Sequence, residues 1–216
     1  LVRVGADGRV RVLASHHDPF AAVLAAADQA LVEPERAPGN DDRYVDWCLG
    51  VCREHEVDLF VPQAGRTAVA RRSEAFTDGG VELLIAGDAA TLELLDHKGR
   101  FYKAADAAGL PAPWCAEVSD VVSFDAAVSA LDAEGWAACV KPPTGVFGAG
   151  YWRLDDNAPL FAQLMDAHGR GLQPSVLRQA LAEAPPGTAR LLVMQHLPGA
   201  EWSVDVACER GHTLAA

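Results

Sequence analysis

The chain has 216 residues, half of them hydrophobic, which is enough for a buried core in one large or two small domains. Its net charge of −12 argues against general binding to nucleic acids or anionic membranes, because both require basic faces. No apolar run approaches the length of a membrane span, and no signal peptide is visible. The five cysteines are odd in number and widely spaced, which predicts reduced thiols and a cytoplasmic protein.

The first ninety residues alternate short apolar segments with helical patterns, which predicts a parallel α/β sheet. One helix is expected to start at Asp18–Pro19, a second to be capped by Asn40–Asp41, and a third to cover 68–76. Because the alternation begins in mid-pattern, we expect 1–90 to be a Rossmann-like domain whose first strand and helix would precede Leu1. Strands are predicted at 11–15, 28–32, 57–61 and 81–86, and the apolar face of the first helix consists of Phe20, Val23, Leu24 and Ala27.

Two groups of potential metal ligands in this region are interpreted as structural. Cys48 and Cys52 are four residues apart in a helical pattern, so they share a face that favours core packing over metal or redox chemistry. His16, His17 and Asp18 are adjacent along the chain and do not converge on one ion, so we expect a loop before a helix.

The pattern changes after Asp88, which is expected to cap a short helix over 89–95. A second helix begins at His97 and is closed by Gly109. The remaining strands are predicted at 114–118, 136–140, 191–194 and 202–207. The remaining helices are predicted at 123–131, from 155 onward, and at 176–181. The apolar positions of the helix that starts at 155 include Leu160, Phe161, Leu164 and Met165.

A glycine-rich turn follows Lys141 and lies between two predicted strands. Its glycines, Gly145, Gly148 and Gly150, can take positive φ angles, and free N–H groups in such a turn can point at anionic oxygens. With Lys141 at its entrance, the turn predicts a flap over nucleotide phosphates; a plain glycine-rich hairpin is the alternative. It is not a Walker loop, because the lysine precedes the glycines, nor a Rossmann turn, because no helix pattern follows.

Three blocks, in this order, resemble the ATP-grasp superfamily. Residues 97–101, with the connector 109–113, are similar to that family's Asp-Lys-x-x-Phe helix and Gly-Leu-Pro-x-Pro segment. Lys141–Pro142 and the glycines are similar to its lysine–proline entry and flexible loop, and 194–205 is similar to its hinge strand. The α/β segment before them also resembles the domain that precedes ATP-grasp domains, so the resemblance covers most of the chain.

The resemblance implies a role for specific residues. Two cations would contact the phosphates, the glycines would cover them, and the hinge would hold the adenine and ribose. Glu201 would accept hydrogen bonds from the ribose hydroxyls, and Val140, Leu192 and Leu197 would form apolar walls for the base. The implied ATP-binding residues are Lys98, Lys141, Gly145, Gly148, Gly150, Gln195, His196, Leu197 and Glu201.

The sequence departs from the family pattern at several positions. His97 replaces the usual aspartate, and Val146 and Phe147 stand where small residues are common. The family's magnesium ligands lie farther along than Ala216, so no metal ligand or catalytic residue is assigned. We therefore expect 91–216 to be an incomplete α+β ATP-grasp domain, with a lid-like subdomain at 113–193 and the start of the C-terminal subdomain at 194–216.

The resemblance implies an ATP- and Mg²⁺-dependent ligase that activates a carboxylate as an acyl phosphate for attack by an amine. The order of domains is most similar to the carbamoyl-phosphate-synthase and amino-acid-ligase branch, and the chain as given should bind nucleotide weakly at best. Its partners would be a small carboxylate and an amine, with no nucleic acid or membrane, and a homodimer stays open. Two alternatives remain: an ATP-binding regulatory module without ligase activity, and a non-enzymatic α/β interaction domain.

Overall fold

The computed structural model describes residues 2–4, 9–35, 41–145, 148–161, 170–185, 187–209 and 211–215. Its contacts divide the chain into two units, Leu1–His97 and Lys98–Ala216. Within the described residues, no helix combines the length and the apolar character needed to cross a membrane.

The first unit contains a five-stranded sheet in the order β3-β2-β1-β4-β5. Its elements are β1 (Val2–Val4), β2 (Val10–His16), a 3-10 helix (Ala22–Ala26), β3 (Gln29–Val32), α1 (Asp41–Glu54), β4 (Leu59–Phe60), α2 (Arg66–Arg71), α3 (Ser73–Asp78), β5 (Glu82–Leu83) and α4 (Ala89–Asp96).

This sheet is mixed, whereas the sequence predicted a parallel one. The pairs β2/β3 and β4/β5 are parallel as expected, but β1 runs antiparallel to both β2 and β4. The cause is chain length, because only five residues connect β1 to β2 and a parallel crossover needs about a dozen. The Rossmann-like arrangement is therefore not confirmed.

The predicted helix after Asp18–Pro19 is wrong in length and in its apolar face. Only a short 3-10 helix forms, Leu24 is its buried residue, and the Phe20 side chain is 90% exposed. The Asp18 carboxylate accepts a hydrogen bond from the N–H of Phe20, 2.9 Å away, and the Asp18 carbonyl accepts one from Ala21. These contacts close a tight turn at Asp18 in place of a helix start.

The core of the first unit is formed by residues of α1, α2, α3 and β4. Cys48 and Cys52 are buried there beside Val45, Phe60 and Phe76, so the packing interpretation of these cysteines is confirmed. Burial raises the pKa of the Cys52 thiol to about 11. All five cysteines are free.

The second unit contains a five-stranded sheet in the order β6-β10-β7-β8-β9, in which only β8 and β9 are parallel neighbours. Among the residues described, its elements are α5 (Lys98–Ala107), β6 (Cys115–Val118), α6 (Val121–Ala133), β7 (Ala138–Lys141), β8 (Trp152–Leu154), β9 (Gly171–Leu172), α7 (Pro174–Glu183), β10 (Leu191–Gln195), β11 (Ala207–Glu209) and β12 (His212–Ala215).

The two faces of this sheet have different partners. Side chains alternate along each strand, so Val140 and Val193 point to one face, where they pack against Phe124 of α6 and Leu177 of α7. We call this the helix face. The opposite face is covered by α5, and we call it the lysine face; its residues include Lys141, Cys139, Leu192, Met194, Cys115 and Tyr151.

Helix α6 begins two residues earlier than predicted because of its cap. The Asp120 carboxylate accepts a hydrogen bond from the N–H of Ser123 at 2.7 Å, and the Ser123 hydroxyl faces the N–H of Asp120, 3.3 Å away. This reciprocal capping box satisfies donors that the first helical turn leaves unpaired, and it lowers the pKa of Asp120.

The strand predicted at 202–207 is wrong. Residues 201–206 have no regular structure, and the Trp202 side chain is 84% exposed. The first strand after them, β11, pairs only with β12, in a two-stranded sheet. Residues 202–206 therefore pair with no strand that the structure describes. Of the helix predicted from 155, Leu160 and Phe161 are exposed, and Leu164 and Met165 lie outside the described residues.

Candidate functional site

The start of α5 is attached to the entrance of the glycine loop. The N–H of Lys98 donates to the Pro143 carbonyl at 2.8 Å, and Lys98 Nζ donates to the Gly145 carbonyl at 2.8 Å. The N–H groups of a first helical turn have no partner inside the helix, so the loop carbonyl supplies one. Residues 47 positions apart in the chain are thereby brought together.

Lys141 meets the same helix one turn later. It ends β7, and its Nζ donates to the hydroxyl of Tyr102 at 3.0 Å while lying 5.2 Å from the centre of the Tyr102 ring. Tyr102 follows Lys98 by four residues, so the two side chains lie on one face of α5. Both predicted phosphate-binding lysines therefore contact a single region formed by α5 and the loop entrance.

The three loop glycines all have positive φ angles: 132° at Gly145, 67° at Gly148 and 73° at Gly150. Gly150 is additionally constrained by space, because a Cβ atom there would lie 2.8 Å from Cγ of Pro142. The loop thus folds back on the proline that follows Lys141. Val146 and Phe147 lie outside the described residues.

The hinge after β10 is held by both neighbouring strands. The N–H of Gln195 donates to the Trp114 carbonyl at 2.9 Å, and the N–H of His196 donates to the Ala137 carbonyl at 2.7 Å. These two donors are therefore occupied within the protein. The Leu197 side chain, predicted as a wall, is 60% exposed.

Val140 does not line the lysine face, contrary to the prediction that it forms a wall for the base. It is buried in the core on the helix face with Phe124 and Leu131, because strand alternation turns it away from Lys141. Leu192 does lie on the lysine face, where it is fully buried beside Cys139 and Met194.

Three residues of this region were missed in the sequence. Tyr102 could have been found from its position four residues after Lys98, and Cys139 from its position two residues before Lys141, since each shares a face with its lysine. Tyr151 follows the last glycine, and its hydroxyl lies 3.0 Å from Nδ1 of His196. No sequence signal joined Tyr151 to a histidine 45 residues away.

Glu201 lies in the exposed segment without regular structure. Its carboxylate is near enough to Tyr151 to contribute to the raised pKa of that phenol. The main cause is burial, which disfavours the phenolate; the neighbouring Cys139 thiol adds to it, and together they raise the pKa of Tyr151 to about 12.

The raised pKa of Tyr151 predicts a loss of stability at alkaline pH. The phenol titrates at about 10 when unfolded, so its contribution is present below pH 10 and is lost as the pH rises through about 12. We expect Tyr151→Phe to make the fall in unfolding free energy between these pH values shallower and to remove a phenolate that forms near pH 12 in an absorbance titration. Identical titration curves for the two proteins would contradict the assignment.

The described residues contain no group of three or more histidine, cysteine or acidic side chains arranged to hold a metal ion. A cavity of about 330 Å³ opens beside α6 and α7 and is lined by Ala138, Asp132, Asp155 and Arg178 among others. Ala138 points to the helix face, so this cavity is separate from the region around Lys141.

No protein-family model matches the chain, and no curated protein matches it. Several solved structures are similar in fold. The complex of biotin carboxylase with β,γ-ATP from Campylobacter jejuni matches with a TM-score of 0.50 and 13% identity over 86% of this chain. The biotin carboxylase domain of the 2-oxoglutarate carboxylase from Hydrogenobacter thermophilus, solved with MgADP, ADP and bicarbonate, matches with a TM-score of 0.49 and 15% identity over 86% of this chain.

D-alanyl-alanine synthetase A from Vibrio cholerae is a third match, with a TM-score of 0.44 and 16% identity over 65% of this chain. The chain spans 38 to 39% of the length of these three proteins. At such identities the likeness concerns the fold alone.

Proposed function

We propose that this chain, which has the fold of the ATP-grasp enzymes that it matches, binds ATP on the lysine face of its second unit. The observation that carries the proposal is the meeting of Lys98, Lys141 and the glycine loop entrance at one face of α5. Three hydrogen bonds of 2.8 to 3.0 Å join these elements. A polyphosphate at this place would meet two ammonium groups and a loop able to cover it.

Charge favours a phosphate in this region. The two lysines supply positive charge, and the start of the ten-residue helix α5 adds the positive end of its dipole. Lys141 Nζ donates to the Tyr102 hydroxyl, which is a neutral group. Phosphate oxygens can compete for this donor because charge-assisted hydrogen bonds are stronger than neutral ones. We therefore assign Lys98 and Lys141 to the phosphates and the loop glycines to their cover.

The base is proposed to lie along the hinge. Because the N–H groups of Gln195 and His196 are already occupied, the Leu197 N–H and the hinge carbonyls are proposed to meet the adenine edge. Cys139 replaces Val140 as the apolar wall supplied by β7, and Leu192 stays as the wall supplied by β10. Glu201 is proposed to accept hydrogen bonds from the ribose.

For the reaction, we propose the ligase chemistry of the ATP-grasp carboxylate–amine ligases. ATP transfers its γ-phosphoryl group to a small carboxylate and leaves as ADP. An amine then attacks the acyl carbon, loses a proton and displaces phosphate, which forms the C–N bond. The residues of this chain hold the phosphates, screen their charge and exclude water beneath the loop. Mg²⁺ is expected to accompany ATP, but no ligand for it is assigned among the described residues.

Calorimetric titration of the full chain with ATP and Mg²⁺ tests the proposal. We expect ATP to bind more tightly than adenosine, because the lysines contribute only to the phosphates. Tighter binding of adenosine would place the phosphates elsewhere. The absence of any nucleotide binding would contradict the proposal and favour an interaction domain.

Replacing Glu201 with alanine tests the ribose assignment. We expect the affinity for ATP to fall by at least about tenfold, because a hydrogen bond to a charged group contributes about 1.5 to 3 kcal/mol, while the affinity for 2′,3′-dideoxy-ATP changes little. Glu209, another exposed glutamate of the same unit, provides the matched control Glu209→Ala. Equal losses for the two nucleotides would show that Glu201 does not contact the ribose.

A further inference from the structure

Tyr102 lies between α5 and the end of β7 and contacts Lys141 in two ways. Its hydroxyl accepts a hydrogen bond from Lys141 Nζ at 3.0 Å, and its ring centre lies 5.2 Å from the same nitrogen. We infer that Tyr102 is a positioning residue, which holds the ammonium of Lys141 at the loop entrance, where the phosphates of the nucleotide would bind. This inference rests on the proposed function.

The ring of Tyr102 is itself held in place. It packs against the buried cluster of Cys139, Leu192 and Met194 on the lysine face. A lysine side chain is long and flexible, and ordering it on binding weakens affinity. A ring fixed by this cluster, attracting the cation to its face and to its hydroxyl, orders Lys141 before the nucleotide arrives.

The same helix also fixes the loop beyond Lys141. Lys98, one turn before Tyr102, bonds to the carbonyls of Pro143 and Gly145 through its N–H and its Nζ. Helix α5 thus contacts 141, 143 and 145, which are alternate residues of the loop entrance. Tyr102 positions the side chain of Lys141, and Lys98 positions the backbone of the loop entrance. Substitutions of the two residues should therefore have separable effects.

A purely structural role predicts something different. If Tyr102 only filled space, a leucine would serve as well, and its loss would lower stability and the binding of all ligands together. A positioning role predicts a loss that is confined to ligands with phosphates. It also predicts that Tyr102→Phe, which keeps the ring but not the hydroxyl, binds ATP more weakly than wild type but more tightly than Tyr102→Leu.

The first experiment needs no nucleotide. The aromatic ring should shift the side-chain proton resonances of Lys141 in a lysine-labelled sample of the full chain, with Lys141→Met identifying the signal. We expect this shift to persist in Tyr102→Phe and to disappear in Tyr102→Leu. An unchanged Lys141 signal in Tyr102→Leu would overturn the inference, because the ring would not then hold the lysine.

The second experiment compares ATP with adenosine by calorimetry. Relative to wild type, we expect Tyr102→Phe to weaken ATP binding about fivefold and Tyr102→Leu about twentyfold, with adenosine affinity within twofold. Phe161→Leu is the matched control, because Phe161 is an exposed aromatic residue of the same unit, and it should leave both affinities unchanged. Equal losses for ATP and adenosine would overturn the positioning role.

The two experiments separate this inference from the proposed function. If the wild-type chain shows the ring-induced shift but binds no ATP, the proposed function fails and Tyr102 is only a structural contact. If the chain binds ATP and the Tyr102 variants bind it as well as wild type does, the proposed function stands and the positioning role is wrong.

Discussion

Replacing Lys141 with alanine is expected to weaken ATP binding by about 100-fold and to leave adenosine binding almost unchanged. Hydrogen bonds to charged groups contribute about 1.5 to 3 kcal/mol each, which corresponds to a change of roughly 10- to 150-fold in affinity. Lys141 should lie near the upper end of this range, because Tyr102 already holds its ammonium in place. Calorimetric titration with both ligands measures the effect directly.

The matched control for Lys141 is Lys103, an exposed lysine on α5. Lys103→Ala removes the same charge from the same unit, and we expect a change of less than about threefold because exposed charges are screened by solvent and salt. Equal losses in the two variants would mean that net charge, and not a phosphate contact at Lys141, governs binding. An unchanged ATP affinity in Lys141→Ala would remove the loop from the nucleotide site.

Replacing Gly150 with alanine is expected to disrupt the loop more than the same change at Gly148. Both glycines have positive φ angles, which cost a residue with a side chain about 1 to 2 kcal/mol. At Gly148 a Cβ atom would meet no atom within 4 Å, whereas at Gly150 it would lie 2.8 Å from the Pro142 ring. We expect losses of unfolding free energy of about 1 kcal/mol for Gly148→Ala and about 2 to 3 kcal/mol for Gly150→Ala.

Urea unfolding and amide hydrogen exchange can separate these two variants. The N–H of Tyr151 donates to the Gly148 carbonyl at 3.1 Å, so its exchange rate reports on the turn itself. Exchange should become faster in Gly150→Ala than in Gly148→Ala, and the affinity for ATP should fall in the same order. Equal destabilisation by the two substitutions would show that Pro142 moves aside freely and that backbone conformation alone matters.

Local chemistry made much of the fold predictable from the sequence. Asp88 accepts a hydrogen bond from the N–H of Thr91 at 2.8 Å, so α4 begins where a capping residue was expected. Gly109 has a φ angle of 73°, and α5 ends before it as predicted. Helix caps and helix-terminating glycines depend on residues only a few positions apart, so they can be recognised in a single sequence.

Features that depend on distant residues were not predictable. The position of β1 between β2 and β4 depends on its pairing with the distant Leu59, and the pairing of Tyr151 with His196 depends on how β7, β8 and β10 align. Val140 is a different case: strand alternation from Lys141 places it on the other face, which the local pattern could have shown. The convergence of Lys98 and Lys141 rested on family resemblance, since 43 residues separate them in the chain.

Strand β7 has a consequence for reading natural variation in this chain. Its even-numbered residues, Ala138 and Val140, pack on the helix face, and its odd-numbered ones, Cys139 and Lys141, lie on the lysine face, where Cys139 is buried. Under the proposed function, side-chain volume constrains the first pair and contact with the nucleotide constrains the second. Two equally severe substitutions at adjacent residues would therefore have different effects. A change at Ala138 or Val140 would reduce the amount of folded protein, whereas a change at Lys141 would leave the amount normal and impair binding.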